Sequence, residues 1–295
     1  MSFAKLSLAE WIKAAQEQDT DFTDFCLRFQ AAQLAMPADD VIARMEEMLK
    51  VMKLSIEEGL KGIRSKGGLV GGDACKLRQY LQRADKTLMG KFTGKAIVYS
   101  LAVGEANAAM GRIVAAPTAG SSGVLPGILF ALKEEYGFPE RELAKGLIVA
   151  GAIGMVIASR ASLAGAAGGC QAECGSAGAM AAGAMVSLLG GDSEQAGNAV
   201  AITIKNMLGL VCDPVAGLVE VPCVKRNAGA VSQAIIAAEM ALAGIRSAIP
   251  VDEVIDAMDS VGQSMHCSLK ETAQGGLAVT PTGLALTEKI FGTDE

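Results

Sequence analysis

Residues 41–60 read VIARMEEMLKVMKLSIEEGL. Met45, Met48, Met52 and Ile56 recur at spacings of three and four, with Glu46, Glu47, Lys50, Lys53 and Glu57 between them. That spacing draws one apolar stripe along a helix of period 3.6 and leaves the rest of the surface charged. Pro37 precedes it, and Asp39 or Asp40 is in place to cap its start. Outward from this stretch the same reading repeats. Helices are expected over Lys95–Met110, after the glycines near residue 120, from about Pro139, near Ser193 with Gln195, and near Asp252 with Val254. No run alternates β-branched and polar residues between turn pairs, so strands are not expected. The sequence predicts an all-α fold: a single compact helical domain over 1–295, with 1–62 as a helical N-terminal portion.

Length and composition narrow the class. A chain of 295 residues can bury one large core, and no Pro/Ser-rich linker divides it. Lys and Arg number 26 against 32 Asp and Glu, a net charge of -6 with neither sign in a long run. Nucleic acid is therefore excluded as an expected partner, because phosphate binding relies on clustered positive charge. Hydrophobic residues make up 51% and the mean hydropathy is +0.35. The longest apolar run, Gly146–Ser159, is closed by Arg160 and falls short of the ~18 residues of a spanning helix. No membrane association is expected. The first residues are polar and helix-like, unlike a secretory signal, and a cytoplasmic location is expected.

Three glycine-rich loops interrupt the helices: Ser65–Asp73, Ala115–Gly123, and a segment opening at Cys212-Asp213-Pro214. Binding residues concentrate in such loops. The seven cysteines, at 26, 75, 170, 174, 212, 223 and 267, are odd in number and do not form a disulfide pattern for this size and compartment. Cys26, Cys75 and Cys267 read as small packing residues. Cys170 and Cys174 follow Gly168-Gly169, and Cys212 and Cys223 sit beside prolines. Thiolates on such turns suit a soft metal or an iron-sulfur cluster, although burial as plain hydrophobes fits the spacing as well. Paired Cys-x2-Cys elements of a structural zinc site are missing.

Gly169-Cys170-Gln171-Ala172-Glu173, the run Leu208–Cys223 and Arg226-Asn227-Ala228 together resemble the bacterial iron-sulfur L-serine dehydratases. The likeness extends to Asn107-Ala108-Ala109, to Ala116-Pro117-Thr118 with Gly123 and Pro126, and to Glu271–Ala278. The resemblance implies an alpha chain in which Cys170, Cys212 and Cys223 hold three irons of a 4Fe-4S cluster and leave the fourth open to substrate. It implies a lyase that converts L-serine to pyruvate and ammonia, without pyridoxal phosphate. A Lewis-acidic iron would stabilise the departing hydroxide while a base takes the Cα proton. The substrate carboxylate is expected on Thr118, Gly120, Ser121, Ser122 and Gly123, where hydroxyls and backbone amides lead into a helix.

The base is missing from this reading. His266 is the single histidine, and its neighbours suggest a partly buried helix end with a structural role. Single-chain relatives carry an additional N-terminal α/β domain, so a separate beta chain is the expected partner, making a heteromer. Cys174 lies one turn from Cys170 and either could serve as a ligand; Cys170 is preferred. Single-chain relatives can also end in a cysteine-bearing tail, whereas this chain ends Phe291–Glu295, so its own C-terminus is not expected on the open iron. Lys66 and Arg226-Asn227 are weaker candidates for contacts around the site. Three rival readings are a helical iron-sulfur or redox-sensing subunit without catalysis, a pyridoxal-phosphate dehydratase, and a polytopic membrane protein. The scarcity of strands and the cysteine pattern argue against the second, and the run lengths against the third.

Overall fold

The computed structural model describes residues 5–292; the chain ends at 1–4 and 293–295, including the last three residues of the tail considered above, lie outside the described residues. Among the described residues there are thirteen α-helices and no strand, only two isolated bridges, Arg64 with Gly71 and Cys212 with Lys270. In chain order they are α1 (Leu8–Glu17), α2 (Phe22–Leu34), α3 (Ala38–Gly59), α4 (Asp73–Arg83), α5 (Lys91–Ala108), α6 (Val124–Tyr136) and α7 (Glu140–Arg160). Then follow α8 (Gly165–Gly168), α9 (Ser176–Leu188), α10 (Ser193–Met207), α11 (Cys223–Leu242), α12 (Val251–Ser264) and α13 (Pro281–Phe291). The all-α expectation holds.

Several boundaries differ from the sequence reading, each for a local reason. Neither Asp39 nor Asp40 caps α3: Pro37 stands at its N-cap and Asp39 accepts from Arg141 instead. The start of α10 is set by Asp192, not Ser193, because Asp192 and Gln195 form a reciprocal capping box. Asp252 lies inside the first turn of α12, where its carboxylate accepts from the Leu8 amide and so ties α1 down.

One contiguous apolar core runs from Leu8 to Met258. Its axis is α9, buried from Ser176 to Val186 and surrounded by α6, α7, α10 and α11. The run of Ala and Gly there lets neighbouring backbones approach closely, which is why this stretch is packed helix. At Gly59 the approach of α3 to α5 is so close that a Cβ would lie 1.9 Å from the Ala102 carbonyl oxygen. The larger side chains that close the core, Leu143, Ile148, Ile153 and Ile157 of α7, are each fully buried. Each contributes roughly 1.5–3 kcal/mol.

The helix α7 is longer than the apolar run read from the sequence. It carries an 18-residue window of mean hydropathy 1.6, long and apolar enough by composition to cross a membrane, and 67% of that window is buried inside the fold. Its apolar length is accounted for by its place in the core.

Candidate active site

The start of α6, the entry to α9, the first turn of α11 and the irregular segments 208–222 and 266–279 meet at one place. Cys170 follows Gly169, whose φ of +76° puts it in the region that glycine favours, and stands at the head of a π-helical turn, Gln171–Gly175. Gln171 fastens this turn to segment 208–222: its amide donates to the Leu210 carbonyl at 2.9 Å and its side-chain oxygen accepts from the Gly209 amide at 2.8 Å. The Cys212 amide donates to Leu269 at 2.8 Å, and the Cys212 carbonyl accepts from Glu271 at 2.7 Å. Cys223 opens α11 directly after the cis peptide Val221-Pro222. The Val215 amide donates to the Val221 carbonyl, closing the segment between the two cysteines into a loop.

All three thiols are buried. Cys174 lies against Cys170, and hydrogen bonding between them holds the Cys170 thiol below its usual range, helped by Arg226 and opposed by burial. The same contact, with burial, pushes Cys174 well up. Burial raises Cys212 strongly and Cys223 to about 12, and in both the charge of Cys170 adds to the rise.

Among the described residues no three Cys, His, Asp or Glu side chains converge as ligands of one metal ion. Cys170, Cys212 and Cys223 come from three separate segments, and soft thiol donors of this kind suit iron-sulfur ligation. Beside them the Glu173 carboxylate packs against Gly165. An ideal Cβ on Gly165 would lie 2.7 Å from Glu173 Oε2 and 3.1 Å from Cys212 Sγ.

The loop before α6 borders the same space. The Thr118 hydroxyl donates to Glu173 Oε1 at 2.7 Å and lies 3.1 Å from Ser121 Oγ. Ser121 and Ser122 are buried, and Ser122 Oγ has no hydrogen-bond partner. A Cβ on Gly120 would approach Glu173 to 3.2 Å. Two expected donors are already engaged: the Thr118 hydroxyl on Glu173, and the Gly123 amide, which donates to Asn227 Oδ1 at 3.0 Å and is structural. Asn227 Nδ2 in turn donates to the carbonyls of Gly120 and Cys223 at 2.7 and 2.9 Å.

Arg226 and Asn227, weak candidates from sequence, thus hold the site together. Arg226 donates to Val211 O at 2.7 Å and to Asp213 at 2.8 Å, bracing the backbone on both sides of Cys212. Lys66 is exposed in its loop, apart from these contacts. His266 is exposed, not partly buried; its Nδ1 accepts from the Ser268 amide and caps a short 3-10 turn, Cys267–Leu269. Cys26 is buried as expected and Cys75 is half-buried with its thiol donating to Leu60 O, but Cys267 is exposed, so packing does not account for it. The residue that sequence reasoning passed over is Glu173. It is half-buried, and burial raises its pKa, with the Glu271 charge adding and the Thr118 hydrogen bond opposing. Its three-residue offset from Cys170 was the available signal.

Fold and site define the class: an all-helical protein with a buried three-thiol centre beside a hydroxyl-rich helix start. The family described as serine dehydratase alpha chain matches residues 3–278. The chain is 52% identical over 286 residues to the probable L-serine dehydratase, alpha chain, of Bacillus subtilis, covering 97% of this chain and 95% of that protein. It is 43% identical to the L-serine dehydratase, alpha chain, of Peptoniphilus asaccharolyticus, covering 93% and 94%. With the L-serine dehydratase of Streptomyces coelicolor the identity is 40%, covering 82% of this chain and 54% of that longer protein. The chain belongs to the serine dehydratase alpha-chain family.

Proposed function

We propose that this chain is the cluster-bearing alpha subunit of an L-serine dehydratase, which eliminates water from L-serine to give pyruvate and ammonia. The observation that carries the reading is the meeting of Cys170, Cys212 and Cys223 with the Thr118–Ser122 loop around one space, in a chain of this family. The three cysteines would hold a 4Fe-4S cluster. Such a cluster, with one iron free of protein ligands, supplies a Lewis acid for the hydroxyl that leaves.

The remaining steps fall to protein groups. Ser121, Ser122 and the Gly120 amide bind the substrate carboxylate at the start of α6, where the helix dipole favours an anion, while the Thr118 hydroxyl stays on Glu173. Gly123 and Asn227 fix the shape of that loop. Arg226 and Asp213 fix Cys212. Loss of the Cα proton and of hydroxide leaves aminoacrylate, which tautomerises and hydrolyses in water to pyruvate and ammonia. The base is assigned to a partner chain, which corresponds to the part of the longer relatives that this chain does not match, and the working enzyme is a heteromer.

The test is anaerobic reconstitution with iron and sulfide, followed by an assay for pyruvate from L-serine with and without the partner chain. Activity with both chains that disappears in Cys212→Ala supports the proposal. A stable cluster with no activity in either mixture would favour a binding or redox-sensing subunit.

A further inference from the structure

An amino acid enters a site as a zwitterion, so hydroxyls and amides for its carboxylate answer only half of the recognition problem. The ammonium needs an acceptor, and desolvating it without one is costly. Four carboxylates surround the cysteine segments, and their hydrogen bonds separate them. Asp213 is fully engaged, with Oδ1 accepting from Arg226 and Oδ2 from the Leu277 amide at 2.7 Å. Glu220 lies beneath the first glycine-rich loop, held by Ser65 and by the Leu69 amide. Glu271 is exposed. Glu173 differs from all three. Its Oε1 is fixed by the Thr118 hydroxyl, while Oε2 makes no hydrogen bond among the described residues and looks onto Gly165 beside the Cys212 sulfur.

From this geometry we infer that Glu173 is the receptor for the substrate ammonium, with Oε2 the accepting atom. The assignment rests on the serine-dehydratase reading and deepens it. Thr118 then has two tasks, since its hydroxyl orients the carboxylate of Glu173 and its loop receives the carboxylate of the substrate. Gly120 and Gly165 are the complement of Glu173: a side chain on either would crowd its carboxylate. Burial penalises the charge of Glu173 in the free protein, and a bound ammonium offsets that penalty. The arrangement selects 2-amino acids over hydroxy acids of the same size, because an analogue without the ammonium leaves a half-buried carboxylate unpaired.

The experiment compares two ligands on the reconstituted holoenzyme with its partner chain. L-serine carries the ammonium; 3-hydroxypropanoate replaces it by hydrogen and keeps the carboxylate and the hydroxyl. Binding of each is read before turnover, from the stopped-flow change in cluster absorbance, for the wild type, Glu173→Gln and Glu173→Asp, with bound iron determined in parallel. Glu173→Gln is expected to weaken L-serine by about 100-fold or more and to leave 3-hydroxypropanoate within about threefold, with iron content unchanged. Glu173→Asp, which keeps the charge, is expected to fall between. Equal binding of L-serine by the wild type and Glu173→Gln would overturn the assignment, as would equal weakening of both ligands, which would mark Glu173 as a support of the loop. Wild-type holoenzyme that binds L-serine through Glu173 yet forms no pyruvate would leave this inference standing and overturn the functional reading.

Discussion

Glu173 Oε2 and Cys212 Sγ border the same small volume at Gly165, where an added carbon would lie 2.7 Å from the first and 3.1 Å from the second. One residue of the expected substrate side and one of the expected metal side are therefore held apart by the absence of a side chain. Gly165→Ala should fold, since the atoms it meets are side-chain ends, but it should displace both groups. Expected are lower iron retention after reconstitution and at least about tenfold weaker serine turnover, with an unfolding midpoint within about 1 kcal/mol of the wild type. Normal iron content together with normal kcat/KM would contradict this account of the site.

Asn227 closes the other side, with Oδ1 on the Gly123 amide and Nδ2 on the carbonyls of Gly120 and Cys223. Replacement by Ala leaves these backbone groups without partners in a buried place. A loss of roughly 2–4 kcal/mol in urea unfolding is expected. Asn227→Asp keeps the acceptor and removes the donor, so it should lie between Ala and the wild type.

Cys170 and Cys174 are one turn apart and both buried, yet they stand differently, since the contact between them lowers the Cys170 thiol and raises that of Cys174. Cys174→Ala should retain most of the iron bound by the wild type. Cys170→Ala should lose the cluster absorbance. The reverse outcome would exchange their roles.

Much of this fold is legible because its outer helices are amphipathic. The spacing of Met45, Met52 and Ile56 marks α3 without help from structure, although Met48 of the same stripe is exposed and Leu49 is buried in its place. The helix ends are less legible. Asp39, Asp192 and Asp252 all sit near helix starts, and only contacts with Arg141, Gln195 and Leu8 decide what each does. The apolar extent of α7 was underestimated because Lys145 interrupts the run after Leu143 and Ala144 while the helix continues. In the site, Cys170, Cys212 and Cys223 stand out through glycine and proline punctuation. Glu173 does not, because its meaning depends on Thr118, which is 55 residues away in sequence. Arg226 and Asn227 were undervalued for the same reason: their partners are backbone groups that sequence does not display.

The N-terminal helix is anchored at a carboxylate that reports on pH. Asp256 accepts from Arg160 at 2.7 Å and pairs with Lys5; burial works against its charge, but these cations hold its pKa below the usual carboxylate value. Such a group stabilises the fold above its unfolded pKa and loses that contribution as pH falls through its folded pKa. Because the side chain is 40% exposed, solvent screening limits the effect to about 1 kcal/mol or less. Asp256→Asn should therefore unfold slightly earlier in urea at neutral pH. The difference should vanish below the carboxylate range; a difference that persists there would refute the ion-pair origin.

The central claim is that Cys170, Cys212 and Cys223 hold a cluster with one iron open to substrate beside Glu173 and the Thr118–Ser122 loop. Mössbauer spectroscopy of protein reconstituted with isotopically enriched iron, with and without L-serine, tests it most directly. The account predicts that serine shifts the signal of a single iron site, and that Cys212→Ala abolishes the cluster spectrum. A spectrum unchanged by serine, or a cluster that survives loss of all three cysteines, would contradict it.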